Sequence, residues 1–152
     1  MKPAFILLAL MLPGLTLAAP AWKTVQQARG DLNGDGRADK VIIEQAQDPQ
    51  KIIKNENLGA PTLNLNPRRL TVLLAGANGF QPAARATWLP AEHNRDTPCL
   101  EDPLGGDSLA VKNQVLTLNM HYWLSCGSYG VSQKAYAYRL QNGKFTLIGA
   151  DS

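Results

Sequence analysis

Cysteine is scarce in this chain, with two among 152 residues, and aromatic side chains make up only 7% of it. Two cysteines cannot supply the dense disulfide framework on which the smallest secreted domains rely. The two histidines, His93 and His121, are 28 residues apart with no zinc-ligand spacing around them. There is no G-x-S-x-G, no H-E-x-x-H and no glycine loop able to cradle phosphate, which leaves the commonest hydrolase and nucleotide-binding signatures unfilled. Charge is also modest: 15 basic against 12 acidic side chains, scattered and not clustered, which argues against a nucleic-acid surface. No internal repeat is present, and the length suits one domain with a modest core.

What is present begins with Lys2, an apolar run from Ala4 to Leu12, a break at Pro13-Gly14, and small residues at Ala18, Ala19 and Ala21. A positive end, a short apolar middle and small residues at a cleavage point are the layout of a secretory signal peptide. The run is too short to span a bilayer comfortably. The expectation is a leader over residues 1–18, cut as late as 21, followed by a single β-rich domain over 19–152. No membrane anchor would remain after cleavage, and no cysteine near the cut suggests a lipid. Removing Lys2 from the 15 basic residues leaves 14 against 12 acidic ones, a net charge of +2. The expected location is periplasmic or secreted.

Export into an oxidising compartment makes a Cys99–Cys126 disulfide the default pairing. It closes a loop of 27 residues, which in the chain-entropy picture contributes about 3.5 kcal/mol. The alternative, a nucleophilic Cys126 served by His93 or His121, would leave Cys99 as a free thiol in that compartment.

The mature chain reads as strands and turns with little helix. Val41 to Glu44 and Leu70 to Leu74 are β-branched or apolar runs of buried-strand character, and Gly76 to Gly79 turns the chain toward Phe80. Leu109 to Val111 is a short strand. Beyond it Leu116, Leu118, Met120, Tyr122 and Leu124 share one face of an extended segment, while Val115, Thr117, Asn119, His121 and Trp123 share the other. Lys134 to Leu140 alternates similarly, and Asn142-Gly143 turns it into Phe145 to Ile148. The fold class expected is mainly β: an antiparallel meander, as a small curled sheet or sandwich, with little helix. Ala46 to Pro67, polar and proline-interrupted, reads as a long surface connection, and Pro90 to Gly106 as a loop that Cys99 tethers.

The segment Gly30 to Ile43, GDLNGDGRADKVII, crowds three aspartates and an asparagine into one turn. Counting from Asp31, oxygen-bearing side chains fall at positions 1, 3, 5 and 9 as Asp31, Asn33, Asp35 and Asp39, with Gly36 at position 6 and the Arg37 carbonyl at position 7. Such spacing converges hard oxygen donors, and a Ca²⁺ ion would relieve the repulsion among the carboxylates. The plainer alternative is a glycine-rich turn whose Asx side chains cap backbone groups. Position 12 is Ile42, where an EF-hand places glutamate, and a strand follows where an EF-hand has a helix. The segment instead resembles the strand-loop-strand calcium hairpin of FG-GAP and VCBS-type repeats. That resemblance covers about fifteen residues. It implies side-chain ligands at Asp31, Asn33, Asp35 and Asp39 and a carbonyl ligand at Arg37. A single copy in a short chain carries over the hairpin and its ion, not a propeller.

One further stretch is chemically distinctive: HYWLSCGSYG, from His121 to Gly130. His121 and Trp123 stand opposite the apolar stripe, Tyr129 stands near the far end of a glycine-bordered loop, and the disulfide would brace it. A partner could dock there, or Trp123 could cap a second core layer. The function expected is a non-enzymatic binding, inhibitor or immunity-type module for an envelope component or an exported protein. The competing class is a hydrolase of envelope glycan or peptide, with Glu92, Asp96, Glu101, Asp102 and His121 as its candidate groups.

Overall fold

The computed structural model describes residues 18–127 and 130–152. The expected leader, apart from Ala18, and Tyr129 lie outside those residues.

The fold is mainly β, built of antiparallel sheets that do not close into a barrel. One sheet orders β1 (Trp22–Gly30), β2 (Asp39–Ala46), β5 (Arg68–Gly76) and β6 (Gly79–Ala86) as β1-β2-β5-β6. The other is the expected C-terminal meander: β7 (Leu109–Lys112), β8 (Val115–Trp123), β9 (Val131–Gln141) and β10 (Lys144–Asp151), ordered β10-β9-β8-β7. Asn142 and Gly143 both take positive φ, at 50° and 75°, which matches the twist of the β9–β10 hairpin.

The core lies between the sheets. Strand alternation sends Val41 and Ile43 of β2 and Leu70 and Val72 of β5 inward against Leu116, Leu118 and Met120 of β8. Two segments correct the sequence reading. β1 carries too few apolar residues to read as a strand, yet it pairs along its length with β2, with a bulge around Val25. Ala46 to Pro67 is not a loose connection. It holds a single 3₁₀ turn at Pro49–Lys51 and a small hairpin of β3 (Ile52–Lys54) and β4 (Thr62–Asn64). Leu63 and Asn66 are buried there. The Asn66 side chain accepts from the Asp48 amide at 2.9 Å and donates to the Asp48 carbonyl at 3.0 Å, so a polar tertiary contact organises a stretch with little hydrophobic pattern.

Pro90 to Gly106 is a loop, as expected, and it is anchored at several points, three of them decisive for its course. The Cys99–Cys126 disulfide is formed. Leu100 bridges Leu124 across it. Arg68, buried in β5, grips the Asp102 carboxylate with both terminal nitrogens at 2.6 and 2.7 Å. No helix among the described residues is long and apolar enough to cross a membrane.

Candidate functional site

The acidic turn joins β1 to β2 and abuts the β7–β8 turn, where Gly34 lies against the Gln114 side chain. Its base is Leu32, driven into the core among Val41, Ile43 and Met120. Leu32 is a residue that sequence reasoning missed; its one available signal is an apolar residue between the polar Asp31 and Asn33. Positive φ at Gly34 and Gly36, 79° and 80°, aims their amides at Asp31, whose oxygens accept them at 2.7 and 2.8 Å. These bonds, Gly36 first, hold the Asp31 carboxyl below the usual range against an opposing desolvation. Its contribution to stability is present above the ordinary carboxylate pKa and is lost as pH falls through the lowered folded value.

The remaining oxygens divide into two kinds. Asn33 and Asp35 are exposed and bond mainly to each other and to the Asp35 and Arg37 amides, at 2.8 to 3.2 Å. Asp39 is 0% exposed. One of its oxygens accepts from the Leu32 amide at 2.7 Å and the other from the Ala75 amide at 2.8 Å, clipping the turn to the end of β5. Among the described residues no three His, Cys, Asp or Glu groups stand together as a ready metal cluster.

The donor set nevertheless fits a hard cation. It is oxygen throughout, Asp31 is held ionised, and each carboxylate oxygen that accepts one amide retains a second lone-pair direction. Asp39 is a buried carboxylate for which no cationic side chain stands as an ion-pair partner among the described residues, and a nearby cation would offset its desolvation.

The second feature is the outer face of the β7–β10 sheet. Across β8 and β9, His121 faces Gln133, and Trp123 faces Val131. Trp123 is 47% exposed and Val131 60%, so Trp123 caps no second core layer. The backbone behind it is fixed from both sides. The Trp123 carbonyl accepts from the Glu101 amide at 3.0 Å, and the Ser125 amide donates to the Cys99 carbonyl at 2.9 Å. The disulfide follows at once.

Two acidic residues of the Pro90–Gly106 loop are engaged by neighbours and two stand free of the core. Asp102 is committed to Arg68 and to the Leu104 amide, and Glu92 accepts from the Asn64 side chain at 2.9 Å. Asp96 and Glu101 are exposed. His93 accepts the Asn64 amide on Nδ1 at 3.1 Å, while His121 stands apart on the outer sheet face. Compared with known proteins, the chain matches no family model, and neither a curated protein nor a solved structure shows significant similarity to it.

Proposed function

We propose that the protein is an exported, calcium-stabilised, non-enzymatic binding module that recognises an envelope component or another exported protein. The observation carrying this reading is Trp123: a large, half-exposed residue beside the exposed Val131, on a sheet face left open among the described residues. Rigid aromatic anchors on a braced backbone lose little entropy on binding, which is why such residues dominate interfaces. An inhibitor or immunity-type role fits the same surface. The disulfide agrees with an oxidising compartment, as expected for periplasmic or secreted protein.

Calcium at Asp31, Asn33, Asp35 and Asp39, with the Arg37 carbonyl, plays a structural part in this reading. At ten times its Kd the ion adds about 1.4 kcal/mol, enough to fix the β1–β2 turn and not to build the fold. A thermal melt in millimolar calcium should therefore lie about 3–6 °C above one in EDTA. Asp35→Ala, which removes an exposed donor, should abolish that gap while leaving the EDTA melt nearly unchanged. Equal gaps in wild type and variant would remove calcium from the account.

Incubation with purified peptidoglycan, followed by assays of the pellet and of soluble fragments, separates binding from hydrolysis. Co-sedimentation without fragment release is expected if the wall is the envelope component. Release of fragments would overturn the non-enzymatic reading.

A further inference from the structure

Both four-stranded sheets are open, so each has two edge strands whose outward amides and carbonyls must be guarded or used. Three of these edges are guarded. β1 bulges around Val25 and carries Lys23 and Arg29, and a Cβ added to its Gly30 would stand 2.6 Å from Val111 Cγ1, so the other sheet crowds it. β7 is only four residues long. β6 holds Pro82, which has no amide proton to donate, a bulge at Ala83, and Arg85.

β10 is built differently. Among the described residues no strand pairs with its outer side. It contains no proline, and its charged residues are Lys144 and Asp151, the first and last of its eight. Leu147 and Ile148 stand at its middle, 49% and 44% exposed. Lys144 and Asp151 are exposed as well, and neither is in an ion pair among the described residues. Seven steps of extended chain, about 23 Å, keep them from meeting each other.

A second copy removes that separation. Two β10 strands running antiparallel about a two-fold axis set Lys144 of each opposite the partner's Asp151, and Leu147 opposite the partner's Ile148, with all eight residues used. The faces agree in this register. Phe145 packs on the core, and Ala150 pairs with Tyr136, which also packs on it. Thr146, Gly149 and Asp151 pair with Arg139, Ala137 and Ala135, which pair in turn with the outward Val115, Thr117 and Asn119 of β8. Lys144 follows as outward by alternation. The bulge at Ile148 shifts that alternation by one residue, so each inward residue meets an inward one across the axis and each outward residue an outward one.

We propose that the protein forms a two-fold dimer through β10, edge to edge, joining the two β7–β10 sheets into one continuous sheet. Main-chain hydrogen bonds and the Leu147–Ile148 contacts hold it together. The end charges set the register, since exposed ion pairs give specificity more than affinity. The axis stands perpendicular to the joined sheet, so Trp123 of both copies faces the same side. A ligand with repeated sites would then be held at two points, although the dimer does not rest on the function assigned to Trp123.

Sedimentation equilibrium of the mature protein at about 10 to 500 µM should show a mass rising toward twice that of the monomer, with a Kd on the order of 100 µM for so small an interface. Ile148→Lys, with its fold checked by circular dichroism, should stay monomeric throughout. Lys144→Glu and Asp151→Lys each place like charges at both ends of the pairing and should weaken the dimer at least about fivefold. Combined, they restore opposite charges and should recover wild-type affinity to within about twofold. These end residues are exposed, so this arm does not depend on how the fold tolerates Ile148→Lys. Trp123→Ala should dimerise as wild type does. A constant monomer mass in wild type would overturn the proposal, as would an undiminished dimer in Ile148→Lys. Loss of the dimer in Trp123→Ala would move the contact to the outer sheet face and overturn it too. Failure of the charge swap to recover affinity would overturn the register.

Discussion

Asp39→Ala should cost the fold about 3–5 kcal/mol, because it leaves two backbone amides without the carboxylate that accepts them. The Leu32 and Ala75 amides approach Asp39 at 2.7 and 2.8 Å, and Asp39 itself is fully buried. Hydrogen bonds to a charged acceptor are worth about 1.5–3 kcal/mol each, and a methyl group offers neither amide a replacement. Leu32 would lose the bond that fixes its backbone at the core edge, so part of the cost would appear as looser packing against Val41 and Met120. The expected fall in Tm is about 10–15 °C. Most of it should appear already in EDTA, with the calcium-dependent gap lost in addition, which separates Asp39 from Asp35, whose loss shows only in calcium. A circular-dichroism melt within about 2 °C of wild type would show that the clip between the turn and β5 contributes little.

Arg68→Ala should be nearly as damaging, costing about 3 kcal/mol. Arg68 is 4% exposed and makes a two-point contact with Asp102. Removing one partner of a buried pair costs about 3–5 kcal/mol, since the remaining charge keeps its desolvation and loses its compensation. The lower end applies because Asp102 keeps some access to water and keeps its bond from the Leu104 amide. Arg68 Nε is buried without a partner, so an uncharged residue of similar bulk avoids one desolvation cost and Arg68→Met should lose less than Arg68→Ala. Hydrogen exchange gives the local signature. The Glu101 amide, which donates to the Trp123 carbonyl, should exchange faster in Arg68→Ala, because Arg68 and the disulfide hold the same loop behind Trp123. Unchanged exchange there, with an unchanged melt, would mean that the ion pair does not brace the loop.

Much of this architecture was legible in the sequence, for reasons specific to each element. The stripe of Leu116, Leu118 and Met120 fixes which face of β8 is inward, and Asn142-Gly143 fixes the β9–β10 register. The Cys99–Cys126 pairing was legible because two cysteines admit a single intrachain disulfide. β1 was not legible, because an edge strand of Lys23, Thr24, Gln26 and Gln27 carries no apolar stripe. The β3–β4 hairpin was hidden for a related reason: Asn66 is buried by its bonds to Asp48, and composition counts it as polar surface.

The candidate site divides in the same way. Spacing alone brings Asp31, Asn33 and Asp35 into one turn, since all three are local. It assigns Asp39 to that cluster as a ligand, but says nothing of Ala75, whose amide lies 36 residues away in sequence and takes one of the carboxylate oxygens. The Arg68–Asp102 pair, 34 residues apart, was invisible for the same reason. Trp123 was placed on the right face by alternation. Whether that face is covered depends on the whole fold, and only the structure leaves it open to solvent.

The claim on which the functional account turns is that this open face binds. Burying the exposed part of a tryptophan ring is worth about 2–3 kcal/mol, so Trp123→Ala should weaken retention by envelope fractions at least about tenfold. The direct measurement is quantitative retention of wild type and Trp123→Ala on immobilised envelope extract, with matched melts for the two proteins. Strong retention of wild type and near-complete loss in the variant is the predicted result. Equal retention of the two would contradict it.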